Sequence, residues 1–190
     1  IDIFQCIIKK ISKYCEINYG SDEKKDIAFR VIADHARAAV FTIADGLVPS
    51  NNKSGYVIRK IIRRASRYAY TELEIKEPVI FKLVEVISEI YSSNFDEVSD
   101  NLEIIKNLIL DEEKMFLKTL SKGLKRINKY LKDRVNISGD QIFELYDTYG
   151  FPYDLTKDIL IDKGLVPDEK NFKKALDIQK DRSRSVGKIV

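Results

Sequence analysis

Few residues in this chain can do covalent or metal chemistry. It has one histidine and two cysteines among 190 residues. One His and two Cys cannot assemble a usual structural zinc site. If residues 1–19 form one helix, Cys6 and Cys15 sit on opposite faces, roughly 13 Å apart along the axis. That spacing excludes a disulfide between them and implies reduced thiols in a reducing compartment. No apolar run is long enough to span a bilayer, and no signal-peptide pattern opens the chain. The first residue is Ile1, which fits a piece of a longer protein. No window alternates apolar and polar residues for long, so no sheet is expected. There is no internal repeat and no low-complexity segment. With 33 basic and 30 acidic residues the net charge is only +3. A nucleic-acid footprint would therefore have to come from local clustering.

Glycine and proline are also scarce, 8 and 4 residues. With so few breakers and so many Lys, Glu, Ile and Leu, long helices are expected. Apolar residues are 44% of the chain, normal for a globular protein. The length allows one domain or two small lobes. The expected fold is all-α and multi-helix, in two packed lobes covering residues 1–77 and 78–190. The stripe Ile3, Phe4, Ile7, Ile8, Ile11 and Tyr14 predicts a helix over 1–19. A second is expected from about Asp22 to Asp45, with Phe29, Ile32, Ala36, Ala39, Val40 and Ile43 inward. His35 lies in it beside Asp34 and reads as a structural group, and Arg30 and Arg37 are spaced to pair with Asp34. Pro78 suits the first turn of a helix to about Ser92. Asn94, Phe95, Asp96 and Ser99 read as a break. From Asp100 to Asp133 apolar residues recur at three- and four-residue steps, including Leu102, Ile105, Ile109, Met115, Phe116 and Leu120, with Gly123 inside the helix. Ser138 or Asp140 can cap the next helix, which Gly150 and Pro152 end. A short helix over 153–162 stops at Gly164. Asp168 opens the last helix, whose end KDRSRSVGK is basic.

The most informative stretch is Gly46–Arg67, GLVPSNNKSGYVIRKIIRRASR. Pro49, Ser50, Asn51, Asn52 and Gly55 are turn formers. From Tyr56 the spacing is helical. Arg59, Lys60, Arg63, Arg64 and Arg67 share one arc of roughly 140°, and Val57, Ile58, Ile61, Ile62 and Ala65 share another. Five cations on one face must be solvated, paired with acids, or set against an anion such as a phosphate backbone. Spacing alone leaves those alternatives open. Likewise it makes Asn51 a turn residue and Asp147 a surface acid.

Three blocks resemble the alanyl-tRNA synthetase family. PSNNKSGYVIRKIIRRA is similar to its P-S-N-x-x-R-G-Y-V-L-R-R-I-[LI]-R-R-A. Upstream, FRVIADHARA at 29–38 resembles F-R-V-I-A-D-H-x-R-A. Downstream, FELYDTYGFPYDLT at 143–156 resembles F-x-L-Y-D-T-Y-G-F-P-x-D-L-T. A fourth stretch, DEEKMFLKTLSKGL, resembles E-E-x-x-F-x-x-T-L-x-x-G. The resemblance runs from about Asp26 to Arg184. It implies the helical middle region of a class II alanine–tRNA ligase, which grips the acceptor stem of tRNA(Ala). Catalytic-core and editing-domain signatures are not seen here. The resemblance thus implies no catalysis by this segment alone. ATP with magnesium, and zinc, belong to the full-length enzyme, with the catalytic core of the same chain as a partner. It further implies a cytoplasmic protein that binds neither membrane nor DNA. Family members identify their tRNA by a G·U wobble pair, whose guanine amine lacks a pairing partner. The groove of an RNA helix that exposes this amine is wide and shallow. A hydrogen-bond acceptor is needed there. The two implicated positions correspond to Asn51 and Asp147, expected to approach one wobble pair from the two lobes. Arg59, Lys60, Arg63, Arg64 and Arg67 would hold phosphates and set register. Ser54 replaces the usual Arg, Lys60 stands where Arg is common, and Tyr153 fills a usually aliphatic position. A helical protein-interaction scaffold with a solvated basic face is the alternative, and a helical DNA-binding domain a third.

Overall fold

The computed structural model describes residues 2–51, 53–133, 136–149 and 151–186. Among them are nine α-helices and no strand: α1 Asp2–Cys15, α2 Glu23–Ala44, α3 Lys53–Thr71, α4 Val84–Tyr91, α5 Asp96–Asp100, α6 Leu102–Asp133, α7 Gly139–Asp147, α8 Tyr153–Asp162 and α9 Glu169–Val186. A 3₁₀ turn, Ile80–Leu83, precedes α4. The all-α expectation holds. Expectations placed on Asn52, on Gly150 as a helix stop and on residues 187–190 lie outside the described residues.

The chain forms two compact units, Ile1–Leu117 and Lys118–Val190. The division falls within α6. Residues 78–117 belong to the first unit because they supply its core. Val79, Ile80, Leu83, Val84, Ile87, Val98, Ile105 and Ile109 are buried with the inward faces of α1, α2 and α3. Alanines at 28, 33, 36 and 39 on α2, and at 65 and 69 on α3, are all buried. Side chains this small let helix backbones approach closely. Burying Phe29 contributes roughly 2–3 kcal/mol.

A buried acid completes this joint. Glu113 is fully buried and accepts from the backbone N–H groups of Val79 (3.0 Å), Ile80 (3.0 Å) and Phe81 (2.9 Å). It thus ties α6 to the start of the 3₁₀ turn. Burial raises its pKa, and the three N–H groups offset only part of that rise.

Local signals explain several helix ends. Asp22 caps α2 by accepting from Lys25 N–H at 3.0 Å. Helix α1 stops at Cys15, earlier than the expected Tyr19, because Glu16 takes a left-handed φ of +56°. Tyr19 then packs edge-on against Phe29 at 5.9 Å. The expected break at 94–99 instead contains α5. Phe95 packs edge-on against Phe41 at 5.1 Å, and Val98 is fully buried, so tertiary burial overrides weak helix propensity. Met115, expected on the inward stripe, is 55% exposed.

In the second unit, α7 packs on α8 and α9. Ser138 accepts from Gln141 N–H at 3.3 Å while the Gln141 side chain accepts from Ser138 N–H at 3.0 Å. This reciprocal cap satisfies two amides that a helix start leaves unpaired. Asp168 accepts from Gly139 N–H at 3.1 Å, tying the start of α7 to that of α9. Gly139 is required there: a Cβ would lie 2.6 Å from the backbone nitrogen of Phe172. Tyr153 stacks on Phe172 at 4.2 Å.

Candidate functional site

Helix α3 presents two rows of cations. Residues four apart stack along one helix face. Lys60 and Arg64 form an exposed row. Arg59, Arg63 and Arg67 form the other, which turns into the first unit. Arg63 Nε donates to Glu112 Oε1 at 2.6 Å. Arg59 Nε lies 3.1 Å from Glu112 Oε2 as an ion pair. Arg67 is 2% exposed, with its guanidinium 4.4 Å from the Tyr68 ring centroid. The single arc of five cations is thus divided, and Glu112 neutralises part of it.

Glu112 and Glu113 lie in the fourth resembling stretch, but spacing and resemblance assigned them no role. A signal for them existed. They lie between Ile109 and Phe116, at the three- and four-residue steps where α6 places core residues. Two adjacent acids at such positions need partners in the fold, because an unpaired buried charge is costly. Glu112 finds two arginines of α3, and Glu113 finds three backbone amides.

The loop before α3 is held from within. Ser50 N–H donates to the Gly55 carbonyl at 3.1 Å. A Cβ on Gly55 would lie 2.2 Å from Ser50 Oγ and 2.5 Å from the Val48 carbonyl oxygen. Only glycine fits that approach. Asn51 is exposed at the turn. Its Oδ1 accepts from Arg59 Nη1. One carbonyl lone pair of Asn51 is thereby engaged.

His35 lies 3.2 Å through Nδ1 from Asp34 Oδ2. Burial lowers its pKa, Asp34 opposes that, and the Arg64 charge adds to the lowering. The expected Arg30 and Arg37 partners of Asp34 act elsewhere. Arg30 donates to the Tyr19 hydroxyl at 3.1 Å, and the Arg37 guanidinium lies 5.3 Å from the Phe4 ring centroid.

In the second unit, Asp147 is the last residue of α7 and is exposed. A carboxylate at a helix C-terminus faces the negative end of the helix dipole. That is an unfavourable place for it unless something else gains. Gln179 of α9 donates through Nε2 to Asp147 Oδ1. One turn earlier, Glu144 accepts from Arg126 Nη2 at 2.8 Å and from the Tyr130 hydroxyl at 2.6 Å. Tyr130 first and Arg126 second hold the Glu144 carboxyl below its ordinary pKa. These contacts brace α7 against α6 within the unit. Each base-reading residue expected from the sequence is therefore exposed and held by one long side chain.

Among the described residues, no group of three or more His, Cys, Asp or Glu is placed to hold a metal ion. No helix among them is long and apolar enough to cross a membrane. Cys6 and Cys15 are free thiols.

Residues 1–189 match the family model described as tRNA synthetases class II (A). The alanine–tRNA ligase of Christiangramia forsetii is 48% identical over 185 residues, covering 96% of this chain and 21% of that protein. That of Cytophaga hutchinsonii is 45% identical over 193 residues, covering 99% and 22%. That of Fervidobacterium nodosum is 40% identical over 183 residues, covering 96% and 21%. The chain spans about a fifth of the length of these curated relatives.

Proposed function

Since the chain belongs to the class II (A) tRNA synthetases and is an alanyl-tRNA synthetase region, we propose that it recognises the acceptor stem of tRNA(Ala) within an alanine–tRNA ligase. Its task is to read the G·U wobble pair, so that a catalytic core of the same chain attaches alanine. ATP with magnesium, zinc and the ligation chemistry belong, on this reading, to other parts of that cytoplasmic enzyme.

One observation carries the reading: Asn51 and Asp147, each in a block that resembles the family, are both exposed and both oriented by a partner side chain. Pre-oriented polar groups lose less entropy when they bind a base edge. Asp147 is the stronger acceptor, since an ionised carboxylate accepts more strongly than an amide. Lys60 and Arg64 supply phosphate contacts from the exposed row of α3, while Arg59, Arg63 and Arg67 shape the loop and helix that carry them. The test is charging of tRNA by the ligase that contains this chain. Asp147→Ala should cut charging of the G·U tRNA about 5-fold to 150-fold, corresponding to a base contact of roughly 1–3 kcal/mol. A G·C variant should change far less, and Asn51→Ala should act in the same direction. Equal losses on both tRNAs would refute base reading by these two residues.

A further inference from the structure

We infer that Glu112, which is itself nearly buried, is a positioning residue for specificity: it sets the orientation of Asn51 through Arg59. The inference rests on the proposed reading role of Asn51 and goes beyond it, because Glu112 lies 61 positions away in the sequence and is only 4% exposed.

The argument follows the contacts outward from α6. Glu112 uses its two oxygens for different arginines, Oε1 for Arg63 at 2.6 Å and Oε2 for Arg59 at 3.1 Å. Arg63 is itself packed, with its guanidinium 5.5 Å from the centroid of the buried Phe116 ring. One oxygen of Glu112 is thus pinned, and the direction of the other follows. The guanidinium of Arg59 is a rigid planar fork. The ion pair holds this fork beside Glu112, within reach of the loop, and its Nη1 donates to Asn51 Oδ1. A lysine would transmit nothing comparable, being a point charge on a flexible stem. The donation selects one of the two flipped orientations of the Asn51 amide and leaves its NH₂ group facing away from Arg59. A base edge presented to Asn51 therefore meets a set pattern of donors and acceptor rather than a freely turning amide. Glu112 makes this possible without approaching the RNA.

A purely structural Glu112 would only neutralise two partly buried cations, and its loss would weaken charging of every tRNA alike. The ratio of G·U to G·C charging separates the two roles. In the full-length ligase, Glu112→Gln keeps the side-chain volume and one acceptor but removes the charge that anchors both arginines. The expected result is a fall on the order of tenfold in the G·U to G·C ratio of kcat/KM. In an Asn51→Ala background the same substitution should leave the ratio unchanged, since nothing remains for it to orient. If Glu112→Gln does not fold, Arg59→Lys replaces it with the same expected loss. An unchanged ratio in the folded variant, alongside a lowered ratio in Asn51→Ala, overturns the inference and leaves the role of Asn51 intact. An unchanged ratio in Asn51→Ala itself overturns the reading of Asn51, and the inference with it.

Discussion

Replacing Gly123 by alanine sets two effects of opposite sign against each other. In a helix interior, Gly→Ala is worth up to about 1 kcal/mol of added stability from propensity. On that ground alone Gly123→Ala should stabilise α6. The structure reverses the sign. A Cβ at this position would sit 2.2 Å from Phe151 Cδ2, 2.5 Å from Cε2 and 2.9 Å from Cγ. Non-bonded carbons prefer roughly 3.5–4.0 Å, so the ring or the helix must move by more than an ångström. Phe151 is fully buried, and its N–H donates to the Leu145 carbonyl at 2.9 Å, so the ring has little freedom to retreat. Overpacking of a tight core costs about 1–3 kcal/mol, and full loss of a buried Phe about 3–5 kcal/mol. A 2.2 Å approach to a fully buried ring puts the cost between these, at about 2–4 kcal/mol, so after a propensity gain of up to about 1 kcal/mol a net destabilisation of about 1–3 kcal/mol is expected. For a chain of this size that lowers Tm by roughly 2–12 °C. Calorimetric unfolding of the wild type and Gly123→Ala measures it. The double variant Gly123→Ala with Phe151→Leu should be less unstable than the two single losses summed, because the smaller side chain leaves room for the methyl group. A Gly123→Ala variant with a raised Tm would show that the ring moves aside at no cost. The close approach would then have no role in holding the turn after Asp147.

Two further predictions concern charge. Lys60→Ala and Arg64→Ala should weaken binding of matched and mismatched acceptor hairpins alike, each lowering the slope of log K against log salt by roughly 0.7–0.9. Arg63→Ala should chiefly lower Tm, since it breaks a half-buried pair; an equal fall in salt slope for Arg63→Ala would mean that its charge reaches the RNA after all. For pH, Asp168 is held below its ordinary pKa, first by the Asn171 side chain, then by the backbone N–H groups of Asn171 and Gly139. A depressed carboxylate pKa stabilises the fold above its unfolded value and is lost as pH falls through the folded one. Tm should therefore drop on acidification below about pH 4. Asp168→Asn should flatten that part of the profile, and an unaltered acid limb would rule out linkage through this cap.

The all-α class was legible in the amino-acid order, because helical stripes and caps are local. The inward face of α2, the cap at Ser138 and the span of α8 follow from residues within a few positions of one another. The blocks around Asn51 and Asp147 were visible for the same reason, as runs of adjacent residues. What could not be read was anything set by long-range partners. Arg59, Lys60, Arg63, Arg64 and Arg67 look alike along a helical wheel, and only the packing of α6 against α3 turns Arg59 and Arg63 toward Glu112. Helix α5 forms because Val98 and Phe95 find a surface built by α2 and α4. Gly123 reads as a weak helix former until Phe151, 28 positions later, is seen to fill the space where its side chain would be. Local sequence determines periodicity, caps and turns through short-range sterics and hydrogen bonds. Which charges are neutralised, and which glycines are indispensable, depends on neighbours that only the folded chain brings together.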